Sequence, residues 1–196
     1  RHYANAGIKN FFFVDNTFNF PLSYAKALCD RIIAAGLNIR WRCILYPWKI
    51  DDELVEKMAK AGCKEVSLGF ESGSESILKR MNKRYTLDDV RRISRSLGRQ
   101  QIRRMGFLLL GGPGENKDSV KQSFYFADSL ETEAMKITSG IRIYPYTALH
   151  RYAVDEGIIE PDEDLLFPKF YMAEGLEGWL EEMVAKWMEG RENWIK

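Results

Sequence analysis

Residues 102–129 open on Ile102-Arg103-Arg104-Met105-Gly106-Phe107-Leu108-Leu109-Leu110, pass through Gly111-Gly112-Pro113-Gly114-Glu115-Asn116, and run on from Lys117 to Ser129. A short apolar run, a glycine-rich turn and an amphipathic stretch make one strand-loop-helix unit of a parallel sheet. The same alternation extends in both directions. Upstream, Ile8 to Val14 reads as a buried strand, and Pro21 to Ala35 as its helix, with Leu22, Ala25, Leu28, Ile32 and Ile33 on one face and Gly36 as the stop. Ile39 to Tyr46 is a second strand. Asp51-Asp52-Glu53 then crowds acidic charge into the first turn of a helix whose apolar face is Leu54, Val55, Met58 and Ala61. Glu65 to Phe70 is a third strand; Ser74 to Met81 and Thr86 to Leu97 are helical, the second opened by a Thr86-x-x-Asp89 variant of the capping box. Downstream, Ala134 to Tyr144 is a fifth strand leading into a helix over Ala148 to Glu156. Strands alternating with helices in this way predict an α/β fold with a parallel sheet and right-handed crossovers.

The C-terminal part has another character. An acidic, proline-bounded loop runs from Glu160 to Pro168, and a helix over Leu176 to Met188 carries Trp179, Leu180, Met183, Val184 and Trp187 on one side. That stripe reads as core packing, and the tail Arg191 to Lys196, with Trp194, as docked.

The chain's 196 residues are 45% apolar and 29% charged, with a formal charge of +1. Disorder, collagen-like repeats and polyanion binding are excluded, so no nucleic-acid partner is expected. No apolar run approaches the roughly 18 residues of a membrane span, and Lys9 and Asn10 interrupt the N-terminus before Phe11-Phe12-Phe13-Val14, so neither a membrane nor a signal peptide is expected and a cytoplasmic location is. Cys29, Cys43 and Cys63 stand 14 and 20 residues apart, which suits three buried small hydrophobes and neither a disulfide framework nor a metal-binding pair. His2 and His150 are too few for a His-built metal site.

In parallel α/β folds ligands bind beyond the C-terminal ends of the strands. The residues there are polar: Asp15-Asn16-Thr17 after the first strand, Glu71-Ser72-Gly73-Ser74 after the third, Gly111 to Glu115 after the fourth, and Arg142, Tyr144 and Thr147 near the end of the fifth. Each has a plainer explanation. The Asp15 triplet can cap a turn, Glu71 can balance a basic neighbour, Lys83 and Arg84 can be solvated helix-end charges, and Gly111 to Gly114 lacks the spacing of a nucleotide loop.

Taken in order, Phe13-Val14-Asp15-Asn16-Thr17-Phe18, Trp41-Arg42-Cys43, Ala61-Gly62-Cys63, Gly69-Phe70-Glu71-Ser72-Gly73-Ser74, Lys83-x-x-Thr86 and Leu110-Gly111-Gly112-Pro113-Gly114-Glu115 resemble the radical S-adenosylmethionine (SAM) family from about residue 8 to about residue 145. Ile143-Tyr144-Pro145-Tyr146-Thr147-Ala148-Leu149 resembles a segment of the branch that carries an upstream cobalamin-binding domain. The resemblance implies a partial (β/α)6 TIM-like barrel, residues 1–157, holding its later five βα units, with residues 158–196 as a loop and amphipathic-helix extension. It implies SAM and a [4Fe-4S] cluster at the C-terminal rim, where one electron cleaves SAM to methionine and a 5′-deoxyadenosyl radical. By position, Asp15, Asn16 and Thr17 would meet the amino group of SAM, Glu71 and Ser72 a polar contact, Lys83 the carboxylate, and Gly111 and Gly112 the adenine.

Two departures matter. The family's C-x-x-x-C-x-x-C cluster motif is absent, and Cys29, Cys43 and Cys63 do not have its spacing, so the resemblance implies a fragment without its first βα unit, inactive on its own. Ile44 stands where many relatives carry a carboxylate that contacts SAM. The parent enzyme is expected to use a small-molecule substrate and an electron donor, with cobalamin-dependent methylation or a related radical transformation as its reaction. The fragment is expected to self-associate through its exposed first strand. Two other readings remain: a metal-independent α/β enzyme using Glu71 and Asp15 as acid and base, and a degenerate barrel serving as a binding or scaffold module through Trp179 and Trp187.

Overall fold

The computed structural model describes all of residues 1–196. In chain order the elements are α1 (His2–Asn5), β1 (Asn10–Phe12), α2 (Leu22–Ala34), β2 (Arg40–Leu45), α3 (Asp52–Lys60), β3 (Cys63–Glu71), α4 (Glu75–Arg80), α5 (Leu87–Arg99), β4 (Arg103–Leu110), α6 (Lys117–Ser129), β5 (Ala134–Ser139), β6 (Ile141–Arg142), α7 (Ala148–Asp155), β7 (Phe170–Tyr171), α8 (Trp179–Met188) and β8 (Trp194–Ile195). Six strands form one parallel sheet in the order β1-β2-β3-β4-β5-β8, while β6 and β7 form a separate antiparallel ribbon. The sheet does not close on itself: β1 and β8 are its edges. No helix is long and apolar enough to cross a membrane.

Sequential parallel strands joined by right-handed crossovers put the crossover helices on one face, as in a barrel wall. Alternation within the strands follows from this. Trp41, Cys43, Leu45, Val66, Leu68, Phe70, Leu108, Leu110, Met135 and Ile137 point to the helices and are buried. Their neighbours Arg42, Ile44, Glu65, Ser67, Met105, Phe107, Leu109 and Lys136 line the other, concave face and keep contact with solvent. Along that face Phe12, Arg42, Glu65 and Arg103 stand in register across four strands, tied by ion pairs of 3.8 Å and 4.0 Å from Glu65 to the two arginines.

The helix ends form as their sequences dictate. Asp51 caps α3 by accepting from the Leu54 amide at 2.9 Å, and Thr86 and Asp89 form a reciprocal capping box on α5. The three cysteines are free and buried on the helix-packed side.

Three expectations need correction. Ile8 to Val14 is not a buried strand; β1 spans three residues and has a neighbour on one side only, leaving Ile8, Phe12 and Val14 exposed. Ala134 to Tyr144 is not one strand: Gly140, at φ 79°, turns the chain out of the sheet, and Ile141–Arg142 pairs with Phe170–Tyr171 instead. The C-terminal helix begins at Trp179, because Gly178 at φ 70° breaks the turn before it. The tail does more than dock, since Trp194 and Ile195 add a sixth parallel strand beside Met135 and Lys136.

Candidate functional site

The C-terminal ends of β3 and β4 bring Glu71, Lys83 and Gly111 to Glu115 to one rim, and β3 supplies its central side chain. Tyr85 donates its hydroxyl to the Phe70 carbonyl at 3.0 Å, and the Ser72 amide donates to the same oxygen at 2.7 Å. Between these anchors Glu71 adopts φ 64°, and the register between β3 and β4 slips by one residue. A non-glycine residue in the left-handed region is strained, and such strain gathers at ligand sites. The carboxylate consequently folds back over Gly69, whose missing side chain leaves the room: a Cβ there would stand 3.2 Å from Glu71 Oε1. Lys83 Nζ lies 3.5 Å from the same oxygen. Both side chains are about three-quarters buried, at 23% and 24% exposed, so the pair is desolvated enough to matter and open enough to take a third partner. Burial and the Glu71 charge together push the Tyr85 hydroxyl well above its ordinary range, which keeps it a neutral donor.

Gly111 and Gly112 end β4. Both amides donate to Glu115 Oε2, at 2.5 Å and 2.9 Å, so the carboxylate staples the turn from beneath. Glu115 is only 4% exposed, and its Oε1 has no partner. Burial pushes its pKa up to about 7 against the lowering effect of the two amides. Gly111 sits at φ 94°, with Met172 Sδ 2.7 Å from where a Cβ would be. On the open side of this turn, a cavity of about 310 Å³ has Lys83 and Gly112 in its wall, with Leu109, Met81, Ile141 and Tyr152. Lys83 and Gly112, far apart in sequence, therefore face one space, which is mostly apolar and has a charged end.

The other marked residues lie elsewhere. Asp15 and Asn16 are exposed just beyond β1, and Asp15 makes no hydrogen bond or ion pair. Thr17 lines a second cavity, of about 270 Å³, with Tyr46, Trp48 and Arg84. Ser72 points away from the rim: fully buried, it bonds Ser123 Oγ at 3.1 Å and accepts from the Ser74 amide at 3.1 Å. Ser123 donates its own proton to the Ser119 carbonyl, so Ser72 is the donor in that pair and its hydroxyl is fully engaged. The largest cavity, about 590 Å³, lies at the opposite end of the sheet between Phe12, Arg42 and Glu65.

The Radical SAM superfamily model matches residues 1–127, the stretch that contains Asp15 to Thr17, Glu71, Lys83 and Gly111 to Glu115. The chain belongs to the radical SAM superfamily. It is 27% identical over 153 residues to an uncharacterized methyltransferase of Pyrococcus horikoshii, covering 78% of this chain and 33% of that one. It is 24% identical over 169 residues to cytidylyl-2-hydroxyethylphosphonate methyltransferase of Streptomyces wedmorensis, covering 81% and 31%. The chain thus spans about a third of the length of these relatives. Its fold is that of the radical SAM methyltransferase TsrM from Kitasatospora setae, a structure with cobalamin and a [4Fe-4S] cluster bound, at a TM-score of 0.74 with 24% identity over 79% of this chain and 30% of that one.

Radical SAM proteins use SAM with a [4Fe-4S] cluster, and the two groups fare differently here. The cavity beside Lys83 and Gly112 has two cations in its wall, Arg80 and Lys83, which suit the carboxylate of SAM, while Glu71 is reached through its pair with Lys83. The residues of this chain do not fit the cluster. Cys29, Cys43 and Cys63 are buried among packed side chains, burial pushes the Cys29 thiol up to about 12 and Cys43 well above the thiol range, and no group of three metal-ligating side chains is assembled anywhere.

Two functional features escaped the sequence reading. Glu115 stood in the quoted motif without a role, and only its burial under two glycine amides gives it one. The wall of Tyr46, Trp48 and Arg84 gave no signal, because it is assembled from the β2–α3 and α4–α5 loops.

Proposed function

We propose that this chain is the SAM-holding rim of a radical SAM methyltransferase acting on a small molecule. The observation that carries the reading is the shared cavity: Lys83, paired with Glu71, at one side, and the Gly112 backbone at the other. In it Lys83, with Arg80 beside it in the wall, would take the SAM carboxylate, and Glu71, paired with Lys83 behind the lining, would take its ammonium. The turn at Gly111 and Gly112, held by Glu115, would set the Gly112 backbone against the adenine, with Leu109, Met81 and Ile141 excluding water. Asp15 and Asn16 would close over the ammonium from the β1 side. SAM so held supplies a sulfonium for reductive cleavage. Methyl transfer is supported by the two relatives described as methyltransferases, and a cobalamin partner by TsrM. An electron donor completes the set.

Calorimetric titration of the chain with SAM tests this reading. One-to-one binding is expected, weakened at least tenfold by Gly112→Val, which pushes a branched side chain into the cavity; absence of saturable binding would overturn it. We also propose that the edge strand β1, with Phe12 and Val14 exposed, pairs with a second copy. Sedimentation at increasing concentration should show a dimer, and an invariant monomer would refute the pairing.

A further inference from the structure

The second rim cavity has a construction of its own. Asn19, 4% exposed, donates to the Tyr46 and Trp48 carbonyls at 2.9 Å and 3.2 Å and accepts from the Tyr46 amide at 3.0 Å, so the loop after β1 and the loop after β2 are locked together. Tyr46 is fixed further: its hydroxyl accepts from the Arg84 amide at 3.2 Å, and its ring packs edge-on against buried Tyr85 with centroids 5.1 Å apart. Phe20 and Trp48 then present their rings 6.3 Å apart at an interplanar angle of 31°. Phe20 is 65% exposed, an unusual position for a phenylalanine with no partner on its outer face.

The charge around this cavity is one-sided. Arg84 Cζ lies 5.4 Å and Lys49 Nζ 4.4 Å from the Trp48 ring, and neither side chain forms an ion pair. No carboxylate is among the lining residues: Asp15 lies two residues before Thr17 in the same loop, and Glu71 is paired with Lys83, whose ammonium lies 6.0 Å from the Tyr46 ring. A preformed space of about 270 Å³, walled by aromatic rings and fringed by unneutralised cations, selects a flat aromatic body carrying a negative group. Aromatic faces hold the body without demanding a hydrogen-bond pattern, and the planar guanidinium suits a carboxylate or phosphate.

We propose that this cavity is a second ligand subsite that takes a planar aromatic anion, and that it seats the acceptor substrate beside SAM. The second half rests on the SAM reading of the neighbouring cavity; the first half does not. Tyr46 and Lys83 stand at the boundary between the two spaces, so ligands in them would lie side by side on one rim.

The test is calorimetric titration of the chain with 1-naphthoate and with its uncharged isostere 1-naphthamide. Naphthoate is expected to bind at least tenfold more tightly. Arg84→Gln should abolish that preference while leaving naphthamide affinity within twofold, and Trp48→Ala should weaken both ligands at least tenfold, with Trp48→Phe restoring most of the loss. Equal affinities for the two ligands in the wild-type chain, or a preference that survives Arg84→Gln, would overturn the subsite. Melting curves on the same samples separate lost binding from lost folding. A final titration with SAM present separates the two readings. Naphthoate affinity unchanged in saturating SAM supports two adjacent subsites; competition between them would show a single site and overturn the second. If SAM does not bind but the naphthoate preference and its loss in Arg84→Gln hold, the SAM reading fails and the aromatic-anion subsite stands.

Discussion

Lys83 Nζ stands 3.5 Å from Glu71 Oε1, across a gap that exists because residue 69 has no side chain and residue 71 has left the strand's regular backbone. The two charges meet at the mouth of a parallel sheet, three-quarters buried, with an open cavity beside them. An ion pair so far out of water contributes little net stability, since desolvation cancels most of the attraction. Its value here is as a pair of opposite charges held ready for a zwitterion.

Ser72 separates adjacency from function. It follows Glu71 directly, yet its hydroxyl is sealed between α4 and α6. Ser72→Ala should lower stability by about 1–3 kcal/mol, the usual cost of leaving buried donors and acceptors unpaired, and leave SAM affinity within about twofold. Urea unfolding and calorimetry on the same variant check both statements; a large loss of SAM affinity without a loss of stability would return Ser72 to the site.

Glu115 makes stability depend on pH. Its folded pKa, about 7, is raised above the ordinary carboxylate value of 4.5, so the folded chain binds more protons than the unfolded one between those values. Stability from this group is therefore present below about pH 4.5 and is lost as pH rises through about 7, by on the order of 3 kcal/mol. Glu115→Gln keeps an acceptor for Gly111 and Gly112 and removes the titration. Denaturation midpoints between pH 5 and pH 8 should fall in the wild-type chain and fall distinctly less in the variant; parallel curves would show that Glu115 does not titrate there.

Gly111 and Gly7 share nearly the same backbone angle, φ 94° and 92°, but their surroundings differ. A Cβ at Gly111 would stand 2.7 Å from Met172 Sδ, while one at Gly7 would meet open space. Alanine at Gly7 should cost about 1 kcal/mol for the left-handed backbone alone. Alanine at Gly111 should cost at least about 1 kcal/mol more, because Met172 has to be displaced. Urea unfolding of the two variants measures the difference, and equal losses would show that the turn has slack on that side.

The βα rhythm was legible because each unit carries its own local signals. Lys117–Ser129 is the helix expected from its flanking glycine loop and apolar spacing, and Thr86 with Asp89 forms the cap its spacing announces. What escaped depends on partners distant in sequence. Ile141 and Ile143 continue the apolar alternation of β5, so nothing local shows that Gly140 has diverted the chain to pair with Lys169 to Tyr171. A two-residue strand at Trp194–Ile195 has no pattern of its own and exists because β5 offers an open edge. In the site, Glu71 and Lys83 were legible as charged residues near one another in sequence, but their 3.5 Å pairing depends on the slip of β3 at Glu71, which no local pattern announces.

The role of this pair has a direct measurement. SAM affinity by calorimetry and unfolding free energy by urea should be determined together for the wild-type chain, Glu71→Gln and Lys83→Ala. If the pair holds the charged methionine end of SAM, each variant leaves a ligand charge unpaired in a partly dry pocket at about 2–5 kcal/mol, or roughly 30-fold or more in affinity, while stability changes by less than about 1 kcal/mol. Unchanged SAM affinity in both variants, whatever happens to their stability, would contradict the account.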